Sequence, residues 1–210
     1  MPGLDGLDGA VELLDRSLAY TRVALASVSD DRLGDPTPCA GWDLARLLQH
    51  MEDSLDAFGE GAAGSVARIG PGAGPVPAAV RTGSLQQKAC ALLGAWSRPP
   101  ACVQVGPHVV DTALVAEVAA LEIAVHGWDV AQALGLEHPL PDALARRLLP
   151  VAASLVSDQD RGRRFGPARP VLTASEAARL LGFLGRNLTG PGGQDGQENG
   201  NRSTGPQIAS

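Results

Sequence analysis

The sequence predicts an all-α protein, a four-helix bundle with short extra C-terminal helices and a minor hairpin. Three observations carry that expectation. Of 210 residues 44% are hydrophobic but only 3% aromatic, so the core is built from Leu, Val and Ala, a composition that favours helices. Apolar residues recur at helical spacing in several segments bounded by capping or breaking residues. Only one short passage reads as extended. The length suits one domain with its own core, residues 1–189, followed by a tail, residues 190–210.

A first helix is expected from Leu7 to Val28, where Leu13, Leu14, Leu18, Thr21, Val23, Leu25 and Val28 form an apolar stripe. Asp35-Pro36-Thr37-Pro38 stops it. Asp43 is a good N-cap for a second helix, with Trp42 placed to staple onto Leu47, and Leu44, Leu47, Leu48, Met51, Leu55 and Phe58 on its inner face. Residues 59–83 are rich in Gly, Ala and Pro and read as a flexible connection. A third helix spans Ser84 to Trp96 and ends at Arg98-Pro99-Pro100.

Ala101 to Val110 reads as extended, with a hairpin turn at Gly106-Pro107. The fourth helix runs from Thr112 to Leu134 and is terminated by Gly135. Pro141 and Asp142 open a fifth helix towards Val156. Thr173-Ala174-Ser175-Glu176 has the capping-box pattern for a last helix, Ala174 to Gly185. Beyond Gly190 the chain is Gly, Gln, Asn and Ser with almost no apolar content to offset ordering entropy, and is expected to be disordered.

A net charge of -6 and a pI of about 5.1 argue against a nucleic-acid partner, which needs a concentrated basic face. Cys39, Cys90 and Cys102 show no CxxC spacing, so neither a disulfide framework nor a thiolate zinc site is expected. The most apolar stretch, Leu114 to Leu134, is interrupted by Glu117, Glu122, His126 and Asp129, which are costly in hydrocarbon, so no membrane span is expected. With no export signal visible in its acidic N-terminus, the protein is expected in the cytoplasm.

The chemistry concentrates in Ala120-Leu121-Glu122-Ile123-Ala124-Val125-His126-Gly127-Trp128-Asp129. Glu122 and His126, four residues apart, share one helix face with Cβ atoms roughly 5–6 Å apart, close enough to grip one metal ion. His50, inside the apolar second helix, is the natural third ligand, because an unpaired imidazole is costly to bury. Two imidazoles and a carboxylate suit Zn²⁺, with Ni²⁺ or Fe²⁺ as alternatives, and leave a coordination position open. Spacing alone leaves the bland readings equally open: a hydrogen-bonded core histidine for His50, and a solvated helix face for the pair.

Other polar residues carry two readings each. Asp129 can support His126 or bind the ion itself, or it can cap or face solvent. Arg46 and Ser54, one turn either side of His50, can contact an anionic substrate or form an ordinary polar edge. Cys39 has apolar neighbours and no adjacent base, and reads as a buried packing cysteine. His108 and His138 read as surface loop residues, and Arg161-Gly162-Arg163-Arg164 as a solvated basic turn.

Thr37-Pro38-Cys39-Ala40-Gly41-Trp42-Asp43 with Leu47-Leu48-Gln49-His50, followed by Glu122 to Ala131, resembles the paired signatures of the mycothiol-dependent maleylpyruvate isomerase N-terminal domain family, within the DinB-like superfamily. The resemblance spans roughly Leu7 to Leu188. It implies a DinB-like four-helix bundle holding a divalent metal, usually zinc, on a histidine of the second helix and a Glu-x-x-x-His pair of a later one, positions matched by His50, Glu122 and His126. It also implies mycothiol or a similar low-molecular-weight thiol as co-substrate. The full isomerase has a separate C-terminal domain, whereas only a short helix and a tail are expected to follow the bundle here.

Three functions follow as expectations. The first is metal-dependent S-transfer to, or isomerisation of, a small electrophile by way of a thiol. The second is hydrolysis or lyase chemistry with metal-bound water. The third is a non-catalytic ion that stabilises the bundle. A homodimer is compatible with each.

Overall fold

The computed structural model describes residues 4–66, 76–97, 99–162, 164–169, 171 and 174–188. Among these residues six α-helices and three short strands follow in the order α1 (Leu4–Leu25), α2 (Leu44–Ala62), β1 (Ser65–Val66), α3 (Ala78–Ala95), β2 (Cys102–Val105), β3 (His108–Asp111), α4 (Thr112–Ala133), α5 (Asp142–Leu155) and α6 (Glu176–Phe183). The helical fold expected from composition and periodicity is therefore the fold observed. Among the described residues no helix is long and apolar enough to cross a membrane.

Helix α4 is the axis of the bundle. Residues 119 to 131 of it are buried almost without interruption, Glu122 excepted, as befits a helix that is apolar on every side. Helix α1 packs along α4 more extensively than any other pair, α2 packs on another side of α4, and α3 covers α2. Helix α5 rests on α4 and α1, with α6 on α5. Helices α1 and α3 meet far less closely, so a groove stays open between them.

The tight α1–α4 contact depends on Gly127. A Cβ there would stand 2.2 Å from Thr21 Oγ1 and 3.0 Å from the Thr21 Cα, inside van der Waals contact. With no side chain at 127, Thr21 lies flat on α4 and its hydroxyl donates to the Ile123 carbonyl at 2.8 Å. The register of α1 against α4 is thus fixed one residue from His126.

Local signals account for most boundaries. The Asp43 carboxylate accepts from the Arg46 N–H at 2.8 Å and Asp111 from Ala113 at 2.8 Å, capping α2 and α4. At the far end of α4, Gly135 takes φ +67° while the Leu136 N–H returns to the Ala131 carbonyl, the Schellman closure expected of that glycine.

Several expectations need correction. Helix α1 runs from Leu4 to Leu25 rather than Leu7 to Val28, and Val23, placed on its inner stripe, is 55% exposed. Much of the supposed connection at 59–83 is regular structure: α2 continues to Ala62, β1 follows, and α3 begins at Ala78, six residues before Ser84. Two long-range contacts explain this early start. Asp30, 48 residues away, accepts from the Ala78 N–H at 2.6 Å, and Arg81 is buried against Glu52 at 2.8 Å. Neither contact has a local sequence signal. Residues 67–75 lie outside the described residues.

The hairpin forms as expected, β2 pairing antiparallel with β3 in the register Val103↔Val110 around Gly106, but β1 adds in parallel to make a three-stranded sheet. Helix α6 is capped by Ser175, which accepts from Ala178 N–H, two residues later than the expected capping-box start. Thr173, Arg98 and the tail 190–210 lie outside the described residues.

The α2–α3 contact makes a measurable prediction. Glu52 is partly desolvated, which by itself raises its pKa, but the Ser84 hydroxyl, Lys88 and Arg81 outweigh this and hold its carboxyl below the ordinary value. A lowered folded-state pKa contributes stability that is present above the unfolded pKa and lost as pH falls through the folded one. Glu52→Gln is therefore expected to cost about 2 kcal/mol at pH 7 in urea unfolding, shrinking as pH falls below about 4. An equal cost at pH 3 and pH 7 would contradict the ion-pair assignment.

Candidate metal centre

His50 lies in the second turn of α2, and Glu122 and His126 occupy successive turns of α4 facing it. The His50 Nε2 is 2.6 Å from Glu122 Oε1, and the His126 Nε2 is 3.2 Å from the same oxygen. The two imidazoles meet edge to face, ring centroids 5.0 Å apart at 88°. Donor atoms of the three residues all lie within 4.8 Å of one another, a spacing that one ion can bridge. The structure thus brings together the three residues singled out from the sequence.

Around this trio the protein supplies orientation. Ser54, one turn along α2 from His50, directs its hydroxyl to Glu122 Oε1 at 3.5 Å. Trp42 sets its indole against His50 at 5.0 Å, and the exposed Arg46 lies over that indole, 4.9 Å from its centroid. Of the two polar neighbours of His50, Ser54 therefore faces the trio, while Arg46 acts through Trp42.

Asp129 resolves in favour of support: it is wholly buried, neither capping nor facing solvent, with Oδ2 2.9 Å from His126 Nδ1. A carboxylate can only accept, so this contact keeps a proton on His126 Nδ1, and when the ring is neutral it is Nε2 that has a free lone pair for a cation. Arg186 donates to the same Asp129 oxygen at 2.9 Å and to Oδ1 at 3.4 Å. Sequence reasoning missed Arg186. Gly185, at φ +81°, ends α6 and turns the chain so that Arg186 points back to α4. The available signal was a charge-balance one: an Asp in an apolar helix calls for a cationic partner.

Cys39 packs against the core, as expected, but it also has polar partners that the sequence did not suggest. It is half-buried, its thiol donates to Asp129 Oδ2 at 3.3 Å, and it lies 3.8 Å from His126 Nδ1 and 3.9 Å from Arg186 Nη2. Cys39, His126 and Asp129 form a second cluster of potential donors, but its carboxylate is already engaged by Arg186. His138 also departs from the surface reading, because its ring stacks on Tyr20 at 4.3 Å and its Nε2 contacts the Tyr20 carbonyl at 3.0 Å. His108 is exposed as expected. In the basic turn Arg161 is a structural tie, donating to the Phe183 carbonyl at 2.6 Å, while Arg164 is exposed and Arg163 lies outside the described residues.

Electrostatics at the centre follow from burial opposed by close charge. Burial alone raises Glu122, but His126 and His50 reverse this and hold it well below the carboxylate range. Burial likewise lowers His126, and Glu122, Asp129 and Cys39 together carry it well above the usual imidazole value. Asp129 is pulled down to about 2, its desolvation outweighed by Arg186 and His126. The trio opens into a cleft of about 740 Å³ whose far wall is the segment after α5, including Arg164, Phe165 and Arg169.

Removing the guanidinium partner leaves a charge fully buried and short of its main counter-ion, so Arg186→Leu is expected to destabilise the protein by about 3–5 kcal/mol in chemical unfolding. The double variant with Asp129→Leu is expected to recover part of that loss. A double variant as unstable as the sum of the single ones would show that the two side chains are uncoupled.

The sequence model of the mycothiol maleylpyruvate isomerase N-terminal domain matches residues 14–131. Two uncharacterized proteins of Mycobacterium tuberculosis, one from each of two strains, are 29% identical over 167 residues, covering 78% of this chain and 90% of theirs. The crystal structure of a mycothiol-dependent maleylpyruvate isomerase superposes with a TM-score of 0.63 at 14% identity, covering 88% of this chain and 91% of that one. A histidine-to-alanine mutant of such an isomerase gives 0.57 at 13% identity, covering 77% of this chain and 74% of the other. By the match over residues 14–131, which is more than half of its length, this chain belongs to the mycothiol maleylpyruvate isomerase N-terminal domain family.

Proposed function

We propose that the protein holds a divalent cation, zinc before Ni²⁺ or Fe²⁺, on His50 Nε2, Glu122 and His126 Nε2. We further propose that it works with mycothiol, or a similar low-molecular-weight thiol, in S-transfer to or isomerisation of a small electrophile. The observation that carries the metal reading is the convergence of three donors from two helices within 4.8 Å, together with the Asp129 contact that presents His126 through Nε2. Family membership, and the mycothiol dependence stated for the isomerases that share the fold, support the thiol.

The donor set fits zinc: two imidazoles and one carboxylate are borderline to hard ligands, and three of them leave a position for a reactant. When bound there, zinc would lower the pKa of a coordinated thiol from about 8.5, so that it is a thiolate at neutral pH.

The chain's own residues do the rest. Asp129 holds His126 in one tautomer and orientation, and Arg186 keeps Asp129 ionised. The Ser54 hydroxyl occupies a lone pair of Glu122 and steadies its carboxylate. Trp42 shields one edge of His50 from water. Arg164 and Arg169, on the wall of the cleft, offer hydrogen-bond donors to the polar body of the thiol and positive charge to a thiolate.

Metal analysis tests the first half of the reading. The protein is expected to purify with one divalent ion per chain, and His126→Ala and His50→Ala to lose it. Asp129→Asn is expected to weaken metal affinity by about 10–100-fold while the fold persists. Metal content in His126→Ala equal to the parent's would refute the site. The thiol is tested by calorimetric titration with mycothiol: saturable binding to the metal-loaded protein is expected. Metal-dependent hydrolysis without thiol binding would instead favour a metal-bound water as nucleophile.

A further inference from the structure

The metal centre has two sides, and only one of them is polar. Opposite the cleft walled by Arg164 and Arg169 lies the groove between α1 and α3, with a volume of about 480 Å³. Its walls are Leu18 and Leu25 from α1, Met51 and Leu55 from α2, and Leu85 and Leu93 from α3. Asp15 and Arg22, both at exposed positions of α1, also line it. At its inner end stand Glu122 and Ser54, and Glu122 is also a wall of the polar cleft. The groove therefore reaches the candidate metal centre along walls that include neither Arg164 nor Arg169.

We propose that this groove is the binding site for the alkyl or aryl body of a ligand whose polar end lies at Glu122 and Ser54. That the ligand is the electrophilic substrate rests on the function proposed above. The volume falls within the range of small-molecule sites, and an apolar lining with polar groups at one end is the usual design of such sites. A compact dianionic substrate would have to surrender its hydration to an apolar wall, which is strongly unfavourable. An apolar body gains from the same wall, and leaves the arginine-lined cleft for the hydrophilic thiol.

The test uses n-alkyl propionates, ethyl to hexyl, titrated calorimetrically into the full chain as purified with its metal. These esters carry no activated alkene and cannot take up a thiol, so their binding does not depend on thiol addition; intact ester recovered after the titration shows that hydrolysis does not contribute. Affinity is expected to rise by about four-fold per added methylene. Ala89→Trp, which fills the groove from α3, is expected to abolish that dependence, and Gln86→Trp at its rim serves if the first variant does not fold. Affinity that is flat with chain length, or unchanged in a folded tryptophan variant, would overturn the proposal. So would light scattering that shows a dimer dissociated by either variant, since the groove would then be a self-interface. The matching n-alkyl acrylates separate the two readings. Thiol addition to ethyl acrylate with no preference for hexyl acrylate overturns the groove proposal alone, whereas chain-length-dependent propionate binding without any thiol addition upholds the groove and removes the thiol-transfer function.

Discussion

The structure turns on the ionised carboxylate of Asp129, buried without solvent contact inside α4. A charge in that position is tolerable only with near-ideal partners, and it has two cationic or proton-bearing ones at 2.9 Å, His126 from its own helix and Arg186 from beyond α6. This one group ties the C-terminal segment to the central helix, fixes which nitrogen of His126 faces the site, and draws the Cys39 thiol inward. The fold's closure and the site's geometry are thus the same set of hydrogen bonds.

Helix α4 accordingly does two kinds of work at once. Most of its surface is given over to Ala, Val, Leu and Ile packed against α1, α2 and α5. Glu122 is the break in that apolar wrapping, and it is partly exposed because cavities lie on both sides of it. One carboxylate consequently lines both an apolar groove and a basic cleft.

Much of this was legible in the chain itself. The helical fold followed from the Leu/Val/Ala composition and from caps such as Asp43 and Gly135, which act within a turn of the residues they terminate. The trio His50, Glu122 and His126 was legible because two members share a helix face and the third interrupts an apolar helix. What stayed hidden depends on contacts across long separations. Ala78 is capped by Asp30, Arg81 is paired with Glu52, and Arg186 reaches Asp129 only because Gly185 reverses the chain. Cys39 illustrates the same limit, since its neighbours in sequence are apolar while its neighbours in space are Asp129, His126 and Arg186.

The close approach of α1 to α4 at Gly127 constrains how this protein can change. In His126-Gly127-Trp128-Asp129 every position is already committed: an imidazole facing the site, a missing side chain that admits Thr21, a buried indole, and a carboxylate bound on two sides. Mutational tolerance in that tetrapeptide is correspondingly narrow, with His126 and Asp129 constrained together by their shared hydrogen bond and Gly127 and Trp128 by packing. Diversification of specificity is therefore channelled away from α4, to the exposed residues of α3 and to the segment after α5. There the chain can vary its cavity walls without disturbing the helix that carries the centre.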